Sequence, residues 1–307
     1  MLTLWSSIAL VLSIVSAAPV ADSGQLARRA PVALSSAQIT EFTPYTYFAA
    51  AGYCKPATTK TWTCGRNCDA LAGFVTTASG GNGGDTPYWF VGYYPPLNSV
   101  VVSFQGTNST DIGSLIVDAD YFLDPLSKSF YPGVSRSVQV HGGFGDAYER
   151  SATSVLAAVT TTLTAHPDAT VITTGHSLGG ALAQLSAVHL KLALSPAGTA
   201  VKLVTYSTPR VGNPAWATLV DTLVADVAHV NNKKDVVPIV PGRFLGFAHP
   251  SGEVHINSKG QWLRCTGQDS TEVGCTIDAV PNIFAGNTDD HAGPFNGIDI
   301  SSHTCGA

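Results

Sequence analysis

The chain has 307 residues, of which 45% are hydrophobic and 12% are charged, and its formal net charge at pH 7 is -5. This composition can bury a large core, which excludes an intrinsically disordered chain, and the negative charge argues against nucleic acid as a partner. No internal repeat or Pro/Ser-rich linker divides the sequence after residue 29, so we expect one domain over residues 30–307.

The N-terminal stretch has the pattern of a secretory signal. Residues 1–15 are almost uninterruptedly apolar, which favours a signal peptide over residues 1–17 rather than a membrane span. Residues 18–29 end in the dibasic pair Arg28-Arg29, which resembles a kexin-type processing site, and they predict a propeptide. We therefore expect a secreted, extracellular protein without stable membrane insertion.

The predicted elements after residue 30 alternate between helices and strands. In chain order we predict one amphipathic helix over 37–48, strands over 89–94 and 99–104, a helix over 146–166, a strand over 169–174 with a helix after it, a strand over 202–207, a helix over 214–224 and a strand over 227–231. This alternation predicts an α/β protein with a single mostly parallel central sheet and helices on both faces, the α/β-hydrolase fold.

The segment ATVITTGHSLGGALAQL joins a β-branched strand to an apolar helix through a tight turn. Its sequence around Ser177 fits the G-x-S-x-G pattern, in which a serine lies at a strained strand-to-helix turn. The N-terminal amides of the helix would face the place where a carbonyl oxygen becomes negative. We therefore predict Ser177 as a nucleophile, and the strand and helix beside it disfavour a chance match. We interpret the preceding His176 as a packing residue.

GHSLGGALA and the downstream TPRVGNP resemble the fungal class 3 lipase family, which includes tri-, di- and monoacylglycerol lipases of filamentous fungi and related feruloyl esterases. The resemblance covers nearly the whole chain after residue 29. It implies an α/β-hydrolase fold and a serine ester hydrolase. We expect no cofactor and no metal ion.

A serine nucleophile needs a base and a third group that orients the base, and in α/β-hydrolases these follow in the order Ser, Asp or Glu, His. Asp235 follows the predicted strand 227–231, where α/β sheets place functional groups. It also matches the family's catalytic aspartate before a VPxxP run. The resemblance implies His291, in DDHAGPFNGI, as the base. The other histidines after Asp235 are interpreted as structural: His249, His255 and His303.

An acyl-transfer site must also stabilise an oxyanion. The N–H of Leu178, directly after the nucleophile, is one predicted donor. VVSFQGTNST resembles the family's F-x-G-[ST] run, which implies Thr107 as the second donor and Asp118 as the acid that holds the Thr107 hydroxyl. The alternative for Thr107 is a turn residue after Gly106.

Six cysteines in a chain with a secretion signal predict disulfides rather than a metal site, and the sequence alone leaves their pairing open. The family resemblance implies one pairing: Cys54 with Cys305, Cys64 with Cys68, and Cys265 with Cys275.

Residues 108–126 correspond to the family's lid, a segment that covers the pocket in water. An apolar cluster at 115–117 favours opening at a lipid surface. However, the segment lacks the lid tryptophan and has acids at 111, 118, 120 and 124, which resembles the feruloyl esterase branch. Asn108 begins a possible glycosylation sequon.

Together these patterns predict a monomeric lipase that hydrolyses tri-, di- or monoacylglycerols at a lipid–water interface through an acyl-serine intermediate. The runner-up is a feruloyl or other plant-cell-wall carbohydrate esterase with the same triad, and a non-catalytic hydrolase-like binding module is a third reading. The apolar segments 236–240 and 244–247 would suit either an acyl-chain wall or core packing.

Overall fold

The structure is a computed structural model that describes residues 30–107, 122–301 and 304–306. Several predictions therefore lie outside the described residues. They concern the signal peptide (1–17), the propeptide (18–29), most of the lid (108–121, with Asn108 and Asp118) and His303.

The described residues form an alternating series of strands and helices. The strands are β1 (Val32–Ala33), β2 (Val75–Gly80), β3 (Trp89–Tyr94), β4 (Ser99–Phe104), β5 (Leu123–Pro125), β6 (Gln139–His141), β7 (Thr170–His176), β8 (Val201–Tyr206), β9 (Asp226–Asn232), β10 (Glu253–Ile256) and β11 (Trp262–Arg264). The helices are α1 (Ser36–Thr40), α2 (Thr43–Ala51), α3 (Pro56–Thr61), α4 (Arg66–Asp69), α5 (Gly142–Ala165), α6 (Leu178–Ala193), α7 (Pro214–Leu223) and α8 (Thr276–Ala279).

Nine of these strands form one sheet in the order β1-β11-β10-β9-β8-β7-β4-β3-β2. The central strands β4, β7, β8, β9 and β10 run parallel, and antiparallel strands extend the sheet at both edges. β5 and β6 form a separate antiparallel pair. This is the predicted α/β-hydrolase fold, with the strand before Ser177 inside the parallel part of the sheet.

Strand β4 shows why helices cover both faces of the sheet. All six of its residues are buried, and alternate side chains point to opposite faces. Val100 and Val102 belong to the core that includes α5, α6 and α7, whereas Val101 belongs to the core that includes α2. The predicted two-sided covering is therefore confirmed.

The prediction of one helix over residues 37–48 is wrong. The chain forms α1, which ends at Thr40, and α2, which begins at Thr43 with Pro44 in its first turn. Proline has no N–H and its ring clashes with the preceding turn, so a single helix cannot run through Pro44. Helix α1 begins at Ser36, one residue before the predicted start, and Ser35 caps it by accepting from the backbone N–H of Gln38 at 3.4 Å.

Two further elements differ from the sequence prediction. Helix α5 begins at Gly142, four residues before the predicted start at 146, although its first residues are rich in glycine. The imidazole of His141 accepts from the N–H of Phe144 at 3.4 Å and supports this early start. Strand β2 was not predicted, because its small polar residues lack a regular apolar alternation.

Three disulfides join the pairs that the family resemblance implies: Cys54–Cys305, Cys64–Cys68 and Cys265–Cys275. The first of them connects the residues after α2 with the C-terminal segment, 251 positions away. Among the residues described, no helix is both long enough and apolar enough to cross a bilayer.

Candidate active site

Ser177 lies at the turn between β7 and α6. Its φ of 56° and ψ of −129° are unusual for a residue with a side chain, and its own side chain is fully buried. The N–H of Ser177 donates to the carbonyl oxygen of Tyr206 on the neighbouring strand at 2.9 Å. This bond fixes the strained turn to the sheet.

The glycines of the motif are required by close backbone contacts. A β-carbon on Gly175 would lie 2.3 Å from the carbonyl oxygen of Gly179. A β-carbon on Gly179 would in turn lie 2.3 Å from the carbonyl oxygen of Phe104 in β4. No side chain fits at either position. The serine turn can pack against the start of α6 and against β4 only if both residues are glycine.

Asp235 and His291 form a buried pair. The His291 Nδ1 atom lies 3.0 Å from both carboxylate oxygens of Asp235, and each side chain is 1% exposed. Because the carboxylate accepts, Nδ1 carries the proton and Nε2 has a free lone pair. Asp235 follows strand β9, and its Oδ1 atom also accepts from the N–H of Val237 at 3.0 Å.

The serine turn and this pair meet through His176. The rings of His176 and His291 have centroids 4.4 Å apart, and His176 Nε2 lies 2.8 Å from the main-chain oxygen of His291. Ser177 is the next residue in the chain. Ser177 Oγ and His291 Nε2 are both buried, and neither has a hydrogen-bond partner among the described residues. The structure thus brings Ser177, Asp235 and His291 into one region.

Asn232 holds the main chain on both sides of His291. Its Nδ2 atom donates to the carbonyl oxygens of Asp290 at 2.9 Å and Gly293 at 2.8 Å. A main-chain bond from Asn287 N–H to the oxygen of Lys234 at 2.7 Å adds a second connection between the Asp235 and His291 loops. Sequence analysis missed Asn232, since its partners lie about 60 positions further along the chain.

The two predicted oxyanion donors lie beside the serine turn. Leu178 is the first residue of α6, so its N–H has no partner within the helix. The chain at Gly106 passes the turn closely, because a β-carbon there would lie 2.4 Å from the His176 oxygen. Thr107, which follows, is half-buried. Asp118 lies outside the described residues.

His249 and His255 hydrogen-bond to main-chain oxygens, and neither is a hydrogen-bond partner of Ser177 Oγ. The His249 Nε2 atom donates to the oxygen of Pro238, and the His255 Nε2 atom donates to that of Lys233, each at 2.8 Å. Burial, followed by the charge of Arg210, lowers the pKa of His249 to about 3. A histidine with so low a pKa stays neutral and holds the chain in place.

Arg210 of the TPRVGNP segment fixes the loop that follows Asp235. Its guanidinium donates to the main-chain oxygens of Ile239 and Pro241, the latter at 3.0 Å, and lies 2.8 Å from an oxygen of Asp269. Arg210 is 2% exposed. It therefore determines the path of a chain segment that borders the site.

An apolar groove of about 530 Å³ lies beside this loop. Its buried floor includes Ile239, Val240 and Val280. Its rim contains Phe244, which is 90% exposed, and Ile283, which is 47% exposed, and the adjacent Phe284 is 93% exposed. The two apolar segments predicted as an acyl-chain wall or as core thus differ in exposure. Residues 236–240 are buried, whereas Phe244 in the second segment faces solvent.

One group of potential metal ligands occurs among the described residues, namely Glu253 with Cys265 and Cys275. The two cysteine sulfurs are joined in a disulfide, so they are not thiolates that could bind a metal ion. The Glu253 carboxylate accepts from the N–H of Thr276 at 2.7 Å. This group therefore stabilises the fold locally.

Comparison with known proteins identifies the family. The sequence model of the family described as "Lipase (class 3)" matches residues 101–245. A solved triacylglycerol lipase, whose catalytic centre is described as a serine protease triad, superposes with a TM-score of 0.75 and is 31% identical. This match covers 88% of this chain and 98% of that one. The chain belongs to the class 3 lipase family.

Two named relatives in this family come from fungi. A secreted mono- and diacylglycerol lipase of Malassezia restricta is 31% identical over 206 residues, which cover 66% of this chain and 63% of the relative. A lipase of Rhizopus niveus is 33% identical over 261 residues, which cover 81% of this chain and 62% of the relative. The chain thus spans less than two thirds of the length of either relative.

The resemblance to the class 3 lipase family predicts Asp235 and His291 although they lie far from Ser177 in the sequence. It gave no signal for Asn232 or for the contacts of His176. The arginine in TPRVGNP was visible in the motif, but nothing in the sequence indicated that it contacts Asp269.

Proposed function

We propose that the chain is a serine ester hydrolase in which Ser177 is the nucleophile, His291 the general base and Asp235 the group that orients His291. The buried Asp235–His291 pair beside the Ser177 turn is the observation that carries this proposal. The related triacylglycerol lipase with a serine protease triad supports it.

In the first half of the reaction, Ser177 Oγ attacks the ester carbonyl carbon while Nε2 of His291 takes the hydroxyl proton. The carbon–oxygen bond to the alcohol then breaks, and His291 returns the proton to the leaving alcohol. In the second half, His291 deprotonates a water that attacks the carbonyl carbon of the acyl-serine. The bond between that carbon and Ser177 Oγ then breaks, His291 returns the proton to Ser177 Oγ, and the fatty acid leaves. Asp235 stabilises the imidazolium in both halves and keeps Nδ1 protonated.

The oxyanion formed in each half would accept from the main-chain N–H groups of Leu178 and Thr107. The first lies at the N-terminus of α6, where the helix dipole adds a favourable field. The closeness of Gly106 to the serine turn supports the assignment of Thr107. We further propose that Asp118 holds the hydroxyl of Thr107.

The apolar groove and its exposed rim favour acylglycerols as substrates. Phe244 on the rim and the adjacent Phe284 are exposed to water, and their transfer into lipid is favourable by about 25 cal/mol per Å² of apolar surface. The groove of about 530 Å³ offers a buried apolar floor for an acyl chain. The named fungal relatives, which are mono- and diacylglycerol lipases and lipases, are consistent with this substrate class.

The proposal is tested with wild-type protein and the Ser177→Ala variant on emulsions of tri-, di- and monoacylglycerols, with methyl ferulate as a soluble ester for comparison. We expect a rate increase when a glyceride passes from solution into emulsion, and labelling of Ser177 by an organophosphonate. Fast hydrolysis of methyl ferulate with no activity on glycerides would instead assign the feruloyl esterase function. Absence of labelling would indicate a non-catalytic protein.

We also propose that the active form is secreted as a monomer of one domain, residues 30–307. Removal of the signal peptide at 1–17 and of the propeptide at 18–29 would generate its N-terminus, and Asn108 would carry a glycan. N-terminal sequencing of the secreted protein, gel filtration and deglycosylation test these points. A secreted protein that starts at Met1 would contradict the processing.

A further inference from the structure

His176 connects two parts of the active site through both of its ring nitrogens. Its Nδ1 atom lies 2.7 Å from the hydroxyl oxygen of Tyr53, and its Nε2 atom lies 2.8 Å from the main-chain oxygen of His291. His176 is 2% exposed and Tyr53 is 5% exposed. The three residues lie far apart in sequence and form one continuous buried chain of hydrogen bonds.

The chemistry of the three groups fixes the direction of both bonds. A carbonyl oxygen only accepts, so Nε2 of His176 carries the proton that it donates to His291. Burial, then the proximity of His291, lowers the pKa of His176 well below its usual value, which keeps the ring neutral. Its Nδ1 atom therefore accepts the proton of the Tyr53 hydroxyl, whose own pKa is raised by burial.

Tyr53 is well placed to fix the ring of His176. It follows α2 and precedes Cys54, which is bonded covalently to Cys305. Its hydroxyl also lies against the oxyanion loop, because a β-carbon on Gly106 would be 2.2 Å from that oxygen. The Tyr53 hydroxyl thus contacts both the loop before Thr107 and the residue before Ser177.

We propose that His176 and Tyr53 are positioning residues for His291. The bond from His176 holds the main chain of His291 from the side of the serine turn, and Tyr53 fixes the orientation of the His176 ring. The bond thereby sets the distance between the base and the nucleophile directly, since one bonded partner precedes Ser177 and the other is His291 itself. This role rests on the proposed function and adds two residues to it.

Buried tyrosine–histidine pairs also serve to stabilise a core, and the protein contains such a pair as a matched control. The hydroxyl of Tyr148 in α5 lies 2.7 Å from Nδ1 of His189 in α6, the same distance and the same ring atom as in the Tyr53–His176 pair. Tyr148 is fully buried. The His189 ring contacts Phe130 and Tyr131 rather than His291.

The test compares Tyr53→Phe with Tyr148→Phe on a soluble short-chain ester. Each change removes one buried hydroxyl that hydrogen-bonds to a histidine. We expect Tyr53→Phe to lower kcat about tenfold with KM unchanged, since one fixed hydrogen bond no longer orients the base. We expect Tyr148→Phe to keep kcat within about twofold while it lowers the unfolding midpoint as much as Tyr53→Phe does.

A second pair of variants tests the donor itself. His176→Phe removes both bonds and is expected to lower kcat about 100-fold. His176→Gln keeps an amide donor that can reach the His291 oxygen, and it should recover at least part of this loss. The rate of organophosphonate labelling at Ser177 should fall in parallel with kcat.

Equal kcat values for Tyr53→Phe and Tyr148→Phe would overturn the positioning role, as would His176→Gln with no more activity than His176→Phe. If His176→Phe does not fold, the two tyrosine variants still decide. A wild-type protein that fails to label at all refutes the proposed function, whereas labelling that is equally fast in every variant refutes only this inference.

Discussion

The guanidinium of Arg210 lies 2.8 Å from the carboxylate of Asp269, and the two side chains are only 3% and 10% exposed. The Nη1 atom of Arg210 donates to main-chain oxygens of the loop that follows Asp235. A buried cation that loses its counter-charge is far more costly than an exposed one. Removal of one charge of this pair should therefore destabilise the folded protein strongly.

We expect Asp269→Asn to lower the free energy of unfolding by about 3–5 kcal/mol, because it leaves the Arg210 charge buried without a partner. Asp226→Asn is the control, since Asp226 pairs with Lys202 at a similar 2.9 Å but is 62% exposed. It should cost less than about 1 kcal/mol. Urea unfolding at pH 7.5 measures both values, and equal losses would contradict the argument.

Asp235→Asn should lower kcat about 10⁴-fold, since an amide donor opposite Nδ1 stabilises the tautomer of His291 whose Nε2 cannot accept a proton. Asp289→Asn provides the control, because Asp289 is an exposed acid two residues from His291. Its charge is screened by solvent, and kcat should stay within about twofold. Steady-state rates on a soluble ester test this. A small effect of Asp235→Asn would remove Asp235 from the triad.

Replacement of Phe244 and Phe284 by serine should lower activity on emulsified glycerides about tenfold or more, because less apolar surface then enters the lipid. Activity on a soluble ester should not change. Val273→Ser is the control, since Val273 is 73% exposed and does not line the groove. If the Val273 variant loses as much emulsion activity, the groove rim has no special role.

The stacked pair of His229 and His249 should make the protein less stable in mild acid. Burial is the largest cause in both residues, and it lowers the pKa of His229 to about 4 and that of His249 to about 3, with Arg210, Glu253 and Asp269 as the neighbouring charges. In the unfolded chain each imidazole takes up a proton near pH 6.5, whereas the folded state resists this until the lower pKa is reached. Stability is therefore lost as the pH falls from about 6.5 to 4.

Each of the two histidines contributes a slope of about 1.4 kcal/mol per pH unit in that window. His249→Gln keeps a donor for the oxygen of Pro238 but cannot titrate. We expect its free energy of unfolding to fall less between pH 7.5 and 5 than that of the wild type, by about 2 kcal/mol. The measured quantity is the change in the free energy of unfolding between the two pH values. A loss of stability that the substitution causes equally at both pH values therefore does not affect the comparison. Parallel slopes would show that His249 does not titrate on unfolding.

The sequence predicted the parts of the fold that depend on local pattern. The β-branched runs gave β3, β4, β7, β8 and β9 to within about two residues, because a strand buried on both faces is apolar at nearly every position. The separation of α1 from α2 was missed although Pro44 signals it. Strand β2 has no such pattern, and its pairing with β3 depends on the rest of the sheet.

The residues of the candidate site also fall into those that the sequence predicted and those that it did not. The turn at Ser177 is a local motif, and family resemblance led from it to Asp235 and His291. His176 was predicted to be a packing residue, whereas the structure places both of its nitrogens in hydrogen bonds to residues more than 100 positions away. Contacts of this kind form only when the chain is folded, so no spacing in the sequence reveals them.

The backbone at Ser177 has a consequence for how this chain can evolve. A positive φ on a residue with a β-carbon costs about 1–3 kcal/mol, and its buried hydroxyl has no partner among the residues the structure describes. A glycine at position 177 would relieve both and should give a chain that melts at a higher temperature but no longer reacts. The side chain at position 177 is therefore required for the reaction but lowers thermal stability. Selection for stability alone would favour its replacement by glycine.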